Sequence, residues 1–300
     1  MPTTRRNFIQ QVSMGALAAT AIPNWLQASS TNQILTGVQL YSVRADMKKD
    51  PLATLKAVAG MGYKQVEHAY YINRKFYGYS AKEFKKILND LGLAMPSGHT
   101  VMSASHWDPI KKDFTDEWKY TVEDAALVGQ ELVISPSLDE NFRKSAEDLK
   151  RFMDIFNQSG ELCRKSGMRF GYHNHNFEFS IINGAQTTYD IILQYTDPAL
   201  VILQLDFGNL FETGADAISI VKNNPGRFLS MHVKDEIKND KGEYESTILG
   251  KGVQKVKEIV ALGKKVGGTK HFIVEQESYQ GITPLDSIQE DLAIMKKWGY

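Results

Sequence analysis

Two histidines and a glutamate stand within nine residues in the segment GYHNHNFEF, residues 171–179. His173 and His175 are two positions apart, so on an extended strand their side chains point to the same face. The chain has seven histidines in all, and neutral imidazole is a common ligand for transition metals. The segment therefore indicates either a metal-binding strand end or a polar loop that is rich in histidine.

Alternating patterns in later segments place further ionisable side chains on one face. In VILQLDF, Gln204 and Asp206 share one face and aliphatic residues occupy the other. In FLSMHVK, His232 and Lys234 share the polar face, and in HFIVEQE the acid Glu275 follows the last apolar segment. Because aliphatic faces pack against helices, we expect the polar faces to point toward a common interior.

Two histidines, an aspartate and a glutamate at one place would bind one divalent metal ion. Imidazole together with carboxylate oxygen suits Mn²⁺, Zn²⁺, Co²⁺ or Fe²⁺ better than Ca²⁺, which prefers oxygen ligands alone. The expected ligands are Asp206, His232, Glu275 and either His173 or His175. The alternative for each residue taken singly is a hydrogen-bonded strand end.

The elements that must position these residues are short apolar segments, each followed by a longer segment in which apolar residues recur with helical period. The strand-like segments are 34–42, 63–68, 93–99, 131–136, 168–175, 199–206, 227–235 and 270–276. Eight such units without a linker predict a single (β/α)8 TIM barrel over residues 31–300, with its chemistry at the C-terminal strand ends. A doubly wound open sheet is the alternative, but its nucleotide-binding GxGxxG or GxxxxGK[ST] turn does not occur in the sequence.

Composition and charge exclude one class of partner. The 35 basic and 35 acidic residues give a formal net charge of zero, whereas nucleic-acid-binding domains usually carry a basic excess. The single cysteine, Cys163, has no partner for an internal disulfide and lies in a helix-like segment as a small core residue. We therefore expect a small-molecule substrate and no nucleic-acid partner.

Residues 1–30 resemble a twin-arginine export signal. Arg5 and Arg6 precede an apolar run, 12–22, that is rich in small residues and too short to span a bilayer. The pattern predicts export to the periplasm and a mature protein without a membrane span. The alternative is an amphipathic N-terminal helix that remains on the protein.

The whole predicted barrel, from GVQLYSVR through YHNHNFEF, LQLDFGN and SMHVKD to FIVEQES, resembles the sugar phosphate isomerase/epimerase family. This family belongs to the xylose isomerase-like barrels, which also include endonuclease IV. The resemblance implies one divalent metal bound by Glu, Asp, His and Glu from strands five to eight. Those motif positions are His173, Asp206, His232 and Glu275 in this chain.

The sequence departs from the epimerase pattern at two of these places. His173 stands where the epimerases have a glutamate, and in those enzymes the two glutamate ligands also shuttle the proton. The Asp-x-x-His motif ends here in Asn209, so a substrate-binding histidine is replaced. An activity like that of endonuclease IV would require a trinuclear metal cluster and a DNA-binding surface, which the neutral charge argues against.

Such a site suits proton abstraction from the carbon next to a carbonyl, with the metal stabilising the charge that develops. The candidate bases are Glu275, Glu178 and Glu67. Glu178 would reach over the site from the loop after strand five, or else be an exposed loop acid. Glu67 would act as a base, or else orient a histidine. Lys234 is expected to hold a substrate oxygen.

Six further side chains are expected to contact the substrate. These are His175, His99, Tyr41, Asn209, Gln204 and Trp107. The indole of Trp107 would stack on a sugar ring, with packing at the barrel rim as the alternative.

Export favours an unphosphorylated sugar or keto-glycoside as the substrate of an isomerase or epimerase. Replacement of one proton-shuttling glutamate by His173 favours the alternative of a lyase or dehydratase acting on a keto-sugar or inosose. Two other classes also remain open, a metal-dependent hydrolase and a non-catalytic sugar-binding barrel.

Overall fold

A computed structural model describes residues 36–300, and it contains eight parallel strands that close into a barrel. In chain order the strands are β1 (Thr36–Gln39), β2 (Gln65–His68), β3 (Ala94–His99), β4 (Leu132–Ser135), β5 (Arg169–His173), β6 (Val201–Asp206), β7 (Ser230–Val233) and β8 (His271–Val274). Each strand pairs with its sequence neighbours, and β8 closes on β1. The predicted (β/α)8 barrel is therefore confirmed, whereas the predicted export signal lies outside the described residues.

A helix follows each strand of the same number. The helices are α1 (Pro51–Met61), α2 (Ala81–Asp90), α3 (Asp116–Val128), α4 (Ala146–Lys165), α5 (Thr188–Tyr195), α6 (Ala217–Asn223), α7 (Val256–Leu262) and α8 (Pro284–Trp298). Helix α1 begins where the Asp50 side chain accepts a hydrogen bond from the backbone N–H of Ala53. It ends at Gly62, whose φ of 102° favours glycine and turns the chain toward β2.

The two faces of each strand pack into different places. The outward residues of β6 belong to the large apolar cluster that the barrel shares with the helices. The inward residue Ile202 instead packs with Leu132 and Ile134 inside the barrel. Gly171 leaves space there, because a Cβ at this position would lie 2.8 Å from Cδ1 of Ile202. The alternation read from VILQLDF thus matches the packing, and polar residues follow the apolar layer toward the strand ends.

Short β segments extend the loops that follow several strands. They are a three-stranded sheet after β2 (Tyr71–Ile72, Lys75–Phe76, Tyr79–Ser80) and hairpins after β3 (Trp107–Asp108, Asp113–Phe114), β5 (Ile181–Asn183, Gln186–Thr187) and β7 (Asp235–Lys238, Tyr244–Thr247). All of them lie in the loops that follow the C-terminal ends of the strands, and the first strand of the three-stranded sheet lines the cavity described below. Within residues 36–300, every helix is too short or too polar to cross a membrane.

Candidate active site

Four buried side chains meet at the C-terminal ends of β5 to β8. His173 ends β5, Asp206 ends β6, His232 lies in β7 and Glu275 directly follows β8. One ligand atom from each residue lies within 4.8 Å of the others. None of the four residues is more than 6% exposed. Atoms at this spacing can bind a single ion.

The side-chain amide of Gln204 fixes the ring of His173. Its nitrogen donates hydrogen bonds to Oε2 of Glu67 at 2.8 Å and to Oγ of Ser230 at 2.9 Å. Because an ionised carboxylate only accepts, the amide oxygen of Gln204 must face the opposite way. There it lies 3.1 Å from Nδ1 of His173 and 2.7 Å from Nε2 of His99. Both ring nitrogens therefore donate to this oxygen.

The proton position on His173 follows from this contact. With its proton on Nδ1, the ring keeps a lone pair on Nε2, which lies 4.0 Å from Oδ2 of Asp206. Burial and the neighbouring imidazoles of His232 and His99 lower the pKa of His173, so its ring is neutral. A neutral ring with a free Nε2 beside a carboxylate is the state in which histidine binds a metal.

Glu67 orients the second histidine of the cluster. Its Oε1 lies 2.6 Å from Nε2 of His232 and also accepts a hydrogen bond from Gln39 at 2.8 Å. Its Oε2 accepts a hydrogen bond from Ser97. The opposite nitrogen of His232, Nδ1, lies 3.1 Å from Oε2 of Glu275. Burial opposes charge on this ring, but Glu275 and Glu67 raise the pKa of His232 to about 10, so the two acids favour positive charge between them.

The ammonium group of Lys234 lies between the acids of the cluster. Its Nζ is 3.0 Å from Oδ2 of Asp206 and 2.9 Å from Oε2 of Glu275. It also contacts Oε1 of Glu277 at 2.6 Å and Oδ1 of Asn209 at 3.1 Å. Nζ donates hydrogen bonds to Glu277 and Asn209 and lies within ion-pair distance of Asp206 and Glu275, and the residue is only 1% exposed. The lysine thus balances the charge of the carboxylates in this structure, and its contact with a substrate oxygen stays a prediction.

An unsatisfied oxygen on Asp206 shows that the cluster fits a metal. Oδ2 of this residue is buried and accepts no directed hydrogen bond from residues 36–300, although Nζ of Lys234 lies within ion-pair distance. Leaving a buried carboxylate oxygen without such a partner is unfavourable. A divalent ion among the four donors would satisfy it. Two imidazole nitrogens and two carboxylates suit Mn²⁺, Zn²⁺, Co²⁺ or Fe²⁺.

The cluster opens into a cavity of about 830 Å³. This volume falls within the roughly 300–1,000 Å³ that is common for small-molecule sites. Four of the expected substrate contacts, Tyr41, His99, His175 and Asn209, line the cavity together with Glu275. The structure thus brings these predicted residues to the cavity through which the four-residue cluster is reached from solvent.

Two other predicted site residues are enclosed below the cavity. Gln204 and Glu67 have no exposed surface. The amide of Gln204 contacts His173 and His99 in this structure, and substrate binding by Gln204 stays a prediction. The contacts of Glu67 support the alternative expectation, in which this residue orients a histidine. The alternation in the sequence indicated on which face of its strand each side chain lies, but not how far below the cavity it is buried.

Glu178 lies beneath the loop after β5 instead of above the cavity. Its carboxylate accepts hydrogen bonds from the Tyr172 hydroxyl and, at 2.9 Å, from the backbone N–H of His175. Tyr172 belongs to the outward face that packs with the helices. Burial raises the pKa of Glu178 to about 7. The alternative of an exposed loop acid is wrong, because Glu178 has no exposed surface. Its role as a base stays a prediction, while its contacts in this structure fix the backbone that carries His173 and His175.

Trp107 packs at the rim, as the alternative to sugar stacking expects, and sugar stacking itself stays a prediction. Its ring lies edge-on to Phe114 with 4.9 Å between ring centres. The aromatic residues that do line the cavity include Tyr70 and Tyr120, which the sequence reasoning missed. Glu277, which contacts Lys234, was assigned no role from the sequence, although it follows Glu275 by two positions and shares its alternation.

Residues 55–298 match the family model described as xylose isomerase-like TIM barrel. The chain belongs to this family. The resemblance seen in motifs from strands five to eight is therefore confirmed at the level of the family. Membership also explains the position of the cluster, because barrels of this kind hold their chemistry at the C-terminal strand ends.

Three other proteins are similar to this chain over different extents. The inosose dehydratase of Clostridium perfringens is 31% identical over 116 residues, and the matched stretch covers 36% of this chain and 37% of that protein. A sugar phosphate isomerase/epimerase from Parabacteroides distasonis has 25% identity and a TM-score of 0.75, covering 89% of this chain and 96% of that one. An L-ribulose 3-epimerase has 13% identity and a TM-score of 0.66, covering 88% and 94%, and shows the fold alone.

Proposed function

We propose that this chain is a divalent-metal-dependent enzyme that removes a proton next to the carbonyl of an unphosphorylated sugar or keto-glycoside. The observation that carries the proposal is the four-donor cluster of His173, Asp206, His232 and Glu275 at the inner end of the cavity. When bound there, the metal polarises the carbonyl and stabilises the negative charge that develops on its oxygen.

Glu275 is the group best placed to accept the proton. It is the one candidate base of the original three that lines the cavity. Burial opposes its ionisation, but Lys234 and His232 hold the pKa of Glu275 well below its ordinary range and keep it a carboxylate. His175 lines the same cavity as a neutral imidazole, since burial lowers its pKa. It is the second group that can give or take a proton.

The charges around the cavity support a substrate without phosphate. Arg74, which lines the cavity, donates to both carboxylate oxygens of Asp124 at 3.0 and 2.8 Å. Lys234 is enclosed by its own acids. A phosphate would therefore meet no uncommitted lysine or arginine among the lining residues of the described part of the chain.

Elimination of water from a keto-sugar or inosose is the second candidate reaction, and His173 favours it. An epimerase with two equivalent carboxylate bases needs a second acid at that position. His173 has Nδ1 bonded to Gln204 and Nε2 directed at Asp206, so it holds no exchangeable proton toward the cavity. Elimination needs one base and a departing hydroxyl. The similarity to inosose dehydratases supports the same reaction.

Proton exchange in D₂O tests the proposal. The purified protein is analysed for bound metal and incubated with a panel of keto-sugars, inososes and 3-keto-glycosides, and NMR then follows deuterium uptake next to the carbonyl. We expect exchange with at least one compound, and the product distinguishes an isomer from a dehydrated sugar.

Two variants complete the experiment. His232→Ala should lose both metal and exchange, whereas His271→Ala, which removes a buried histidine at the other end of the barrel, should retain metal. The absence of exchange with every compound would reject enolisation. Hydrolysis of a substrate that has no carbonyl would favour the hydrolase alternative, and sugar binding unaffected in His232→Ala would favour the non-catalytic barrel.

A further inference from the structure

One side of the cavity is unusually rich in exposed apolar surface. Among residues 36–300, eleven large apolar side chains are exposed, and five of them line this cavity. We call these five residues the apolar wall: Tyr41, Tyr70, Ile72, Val101 and Tyr120. Each is 40–53% exposed. Single exposed apolar residues are ordinary on protein surfaces, but a contiguous group inside a cavity marks a binding surface.

The apolar wall lies across the cavity from the metal ligands. Its residues follow β1, β2 and β3 or lie in α3, whereas the ligands come from the ends of β5 to β8. In a closed barrel, strands one to three stand opposite strands five to seven. A ligand that reaches the metal from solvent therefore passes along this wall.

One buried acid anchors the part of the wall that follows β2. Asp124 in α3 accepts hydrogen bonds from the Tyr71 hydroxyl at 2.7 Å and from Nε of Arg74 at 3.0 Å. Arg74 has a φ of 60°, a left-handed conformation that is unfavourable for residues other than glycine. Its two bonds to Asp124 stabilise this turn of the three-stranded sheet, which presents Tyr70 and Ile72 to the cavity. A surface fixed before binding loses less entropy when a ligand arrives.

The chemistry of the wall suits a flat apolar group. The guanidinium of Arg74 is committed to Asp124 and lies 4.2 Å above the ring centre of Tyr120, so the wall offers no free charge from this residue. The guanidinium of Arg44 lies 4.5 Å over the ring centre of Tyr41 and donates hydrogen bonds to Tyr41, Tyr279 and Glu277. The wall residues themselves offer a ligand tyrosine ring surface and the aliphatic side chains of Ile72 and Val101. Aromatic groups favour such surroundings through stacking and area burial.

We propose that the apolar wall is a second subsite that binds an aromatic group carried by the sugar. The substrate is then an aryl glycoside whose sugar end lies at the metal, and not a free sugar. This inference rests on the proposed function for the sugar end. It adds that affinity depends on the substituent, since the wall contacts that part of the ligand.

Calorimetry with two glycosides tests the subsite. Phenyl β-D-glucopyranoside and methyl β-D-glucopyranoside share the sugar and differ in the substituent. For the metal-loaded wild type we expect the phenyl compound to bind about tenfold more tightly, which corresponds to about 1.4 kcal/mol. Ile72→Asn and Tyr70→Ala should each reduce this preference to about twofold or less.

Ile181→Asn is the matched control, because Ile181 is also an exposed isoleucine on a short β segment but lies on the hairpin after β5, outside the residues that line the cavity. It should retain the tenfold phenyl preference. Equal binding of the two glycosides by the wild type, or a preference that persists in both wall variants, would overturn the proposal. Deuterium exchange with keto-sugars is measured separately. If deuterium exchange occurs but the phenyl glycoside is not preferred, only the proposed subsite is rejected. If the phenyl glycoside is preferred but no exchange occurs, only the proposed reaction is rejected.

Discussion

Nε2 of His232 lies 2.6 Å from Oε1 of Glu67, and neither residue is exposed. The two residues come from β7 and β2 and are 165 positions apart in the sequence. The contact turns the other ring nitrogen of His232 toward Glu275 and Asp206. An acid in the second strand thereby sets the orientation of a histidine of the four-residue cluster in the seventh.

Substitution Glu67→Gln should weaken metal binding. The amide retains the shape of the side chain but removes the charge that holds the proton on Nε2 of His232. Loss of such a partner typically reduces metal affinity by about 10–100-fold. Titration calorimetry with Mn²⁺ or Zn²⁺ measures the effect. Glu117→Gln is the control, because that acid lines the cavity but is largely exposed. Equal losses in both variants would contradict the specific role of Glu67.

Gln204→Met should alter both metal affinity and stability. Methionine fills a similar volume but leaves Nδ1 of His173 and Nε2 of His99 without their shared acceptor. We expect about 10–100-fold weaker metal binding. The free energy of unfolding should fall by about 1–3 kcal/mol because buried donors lose their partner. Unchanged metal affinity, measured by calorimetry beside urea unfolding, would show that Gln204 does not orient His173.

Gly208→Ala should displace the Lys234 side chain. A Cβ at position 208 would lie 2.5 Å from Cδ of Lys234, which is closer than carbon atoms pack. We expect a loss of about 1–3 kcal/mol in the free energy of unfolding. Gly60→Ala in α1 meets nothing within 4 Å and should instead stabilise the protein by roughly 0.5–1 kcal/mol. If urea unfolding showed that both substitutions change the free energy of unfolding in the same direction, this expected difference would be contradicted.

Asp291 should make stability fall as the pH rises. Burial raises the pKa of Asp291 to about 8 in the folded protein, whereas an unfolded chain has a value of about 3.9. Between these values the folded state keeps a proton that the unfolded state has released. Unfolding therefore becomes easier with increasing pH, by at most about 1.4 kcal/mol per pH unit from this group.

Asp291→Asn mimics the protonated acid and should flatten the dependence of the melting temperature on pH between 5 and 8. The backbone N–H of Leu249 keeps its acceptor at position 291 in this variant. Asp240→Asn removes an exposed acid and should leave the slope unchanged. The assignment would be contradicted if the melting temperature of the wild type rose with pH over this range and the Asp291→Asn variant showed the same dependence.

The strand faces were predictable because alternation is a local property of the chain. VILQLDF and FLSMHVK each have one aliphatic face, and a buried parallel strand packs that face against helices. The strand ends were less predictable. The segment 227–235 contains only Ser230–Val233 as strand, since its polar end leaves the sheet and forms the next hairpin.

The sequence by itself determined the barrel, the family and the set of four residues that meet as possible metal ligands. These follow from periodicity and motifs, which neighbouring residues carry. Only the tertiary structure decided that Glu67 and Gln204 orient histidines. It also decided that Glu178 lies beneath the segment GYHNHNFEF and fixes its backbone, and that the ammonium group of Lys234 lies among three carboxylates. These roles depend on depth and on hydrogen bonds between residues far apart in the chain, and such bonds exist only once the barrel has closed and set its register.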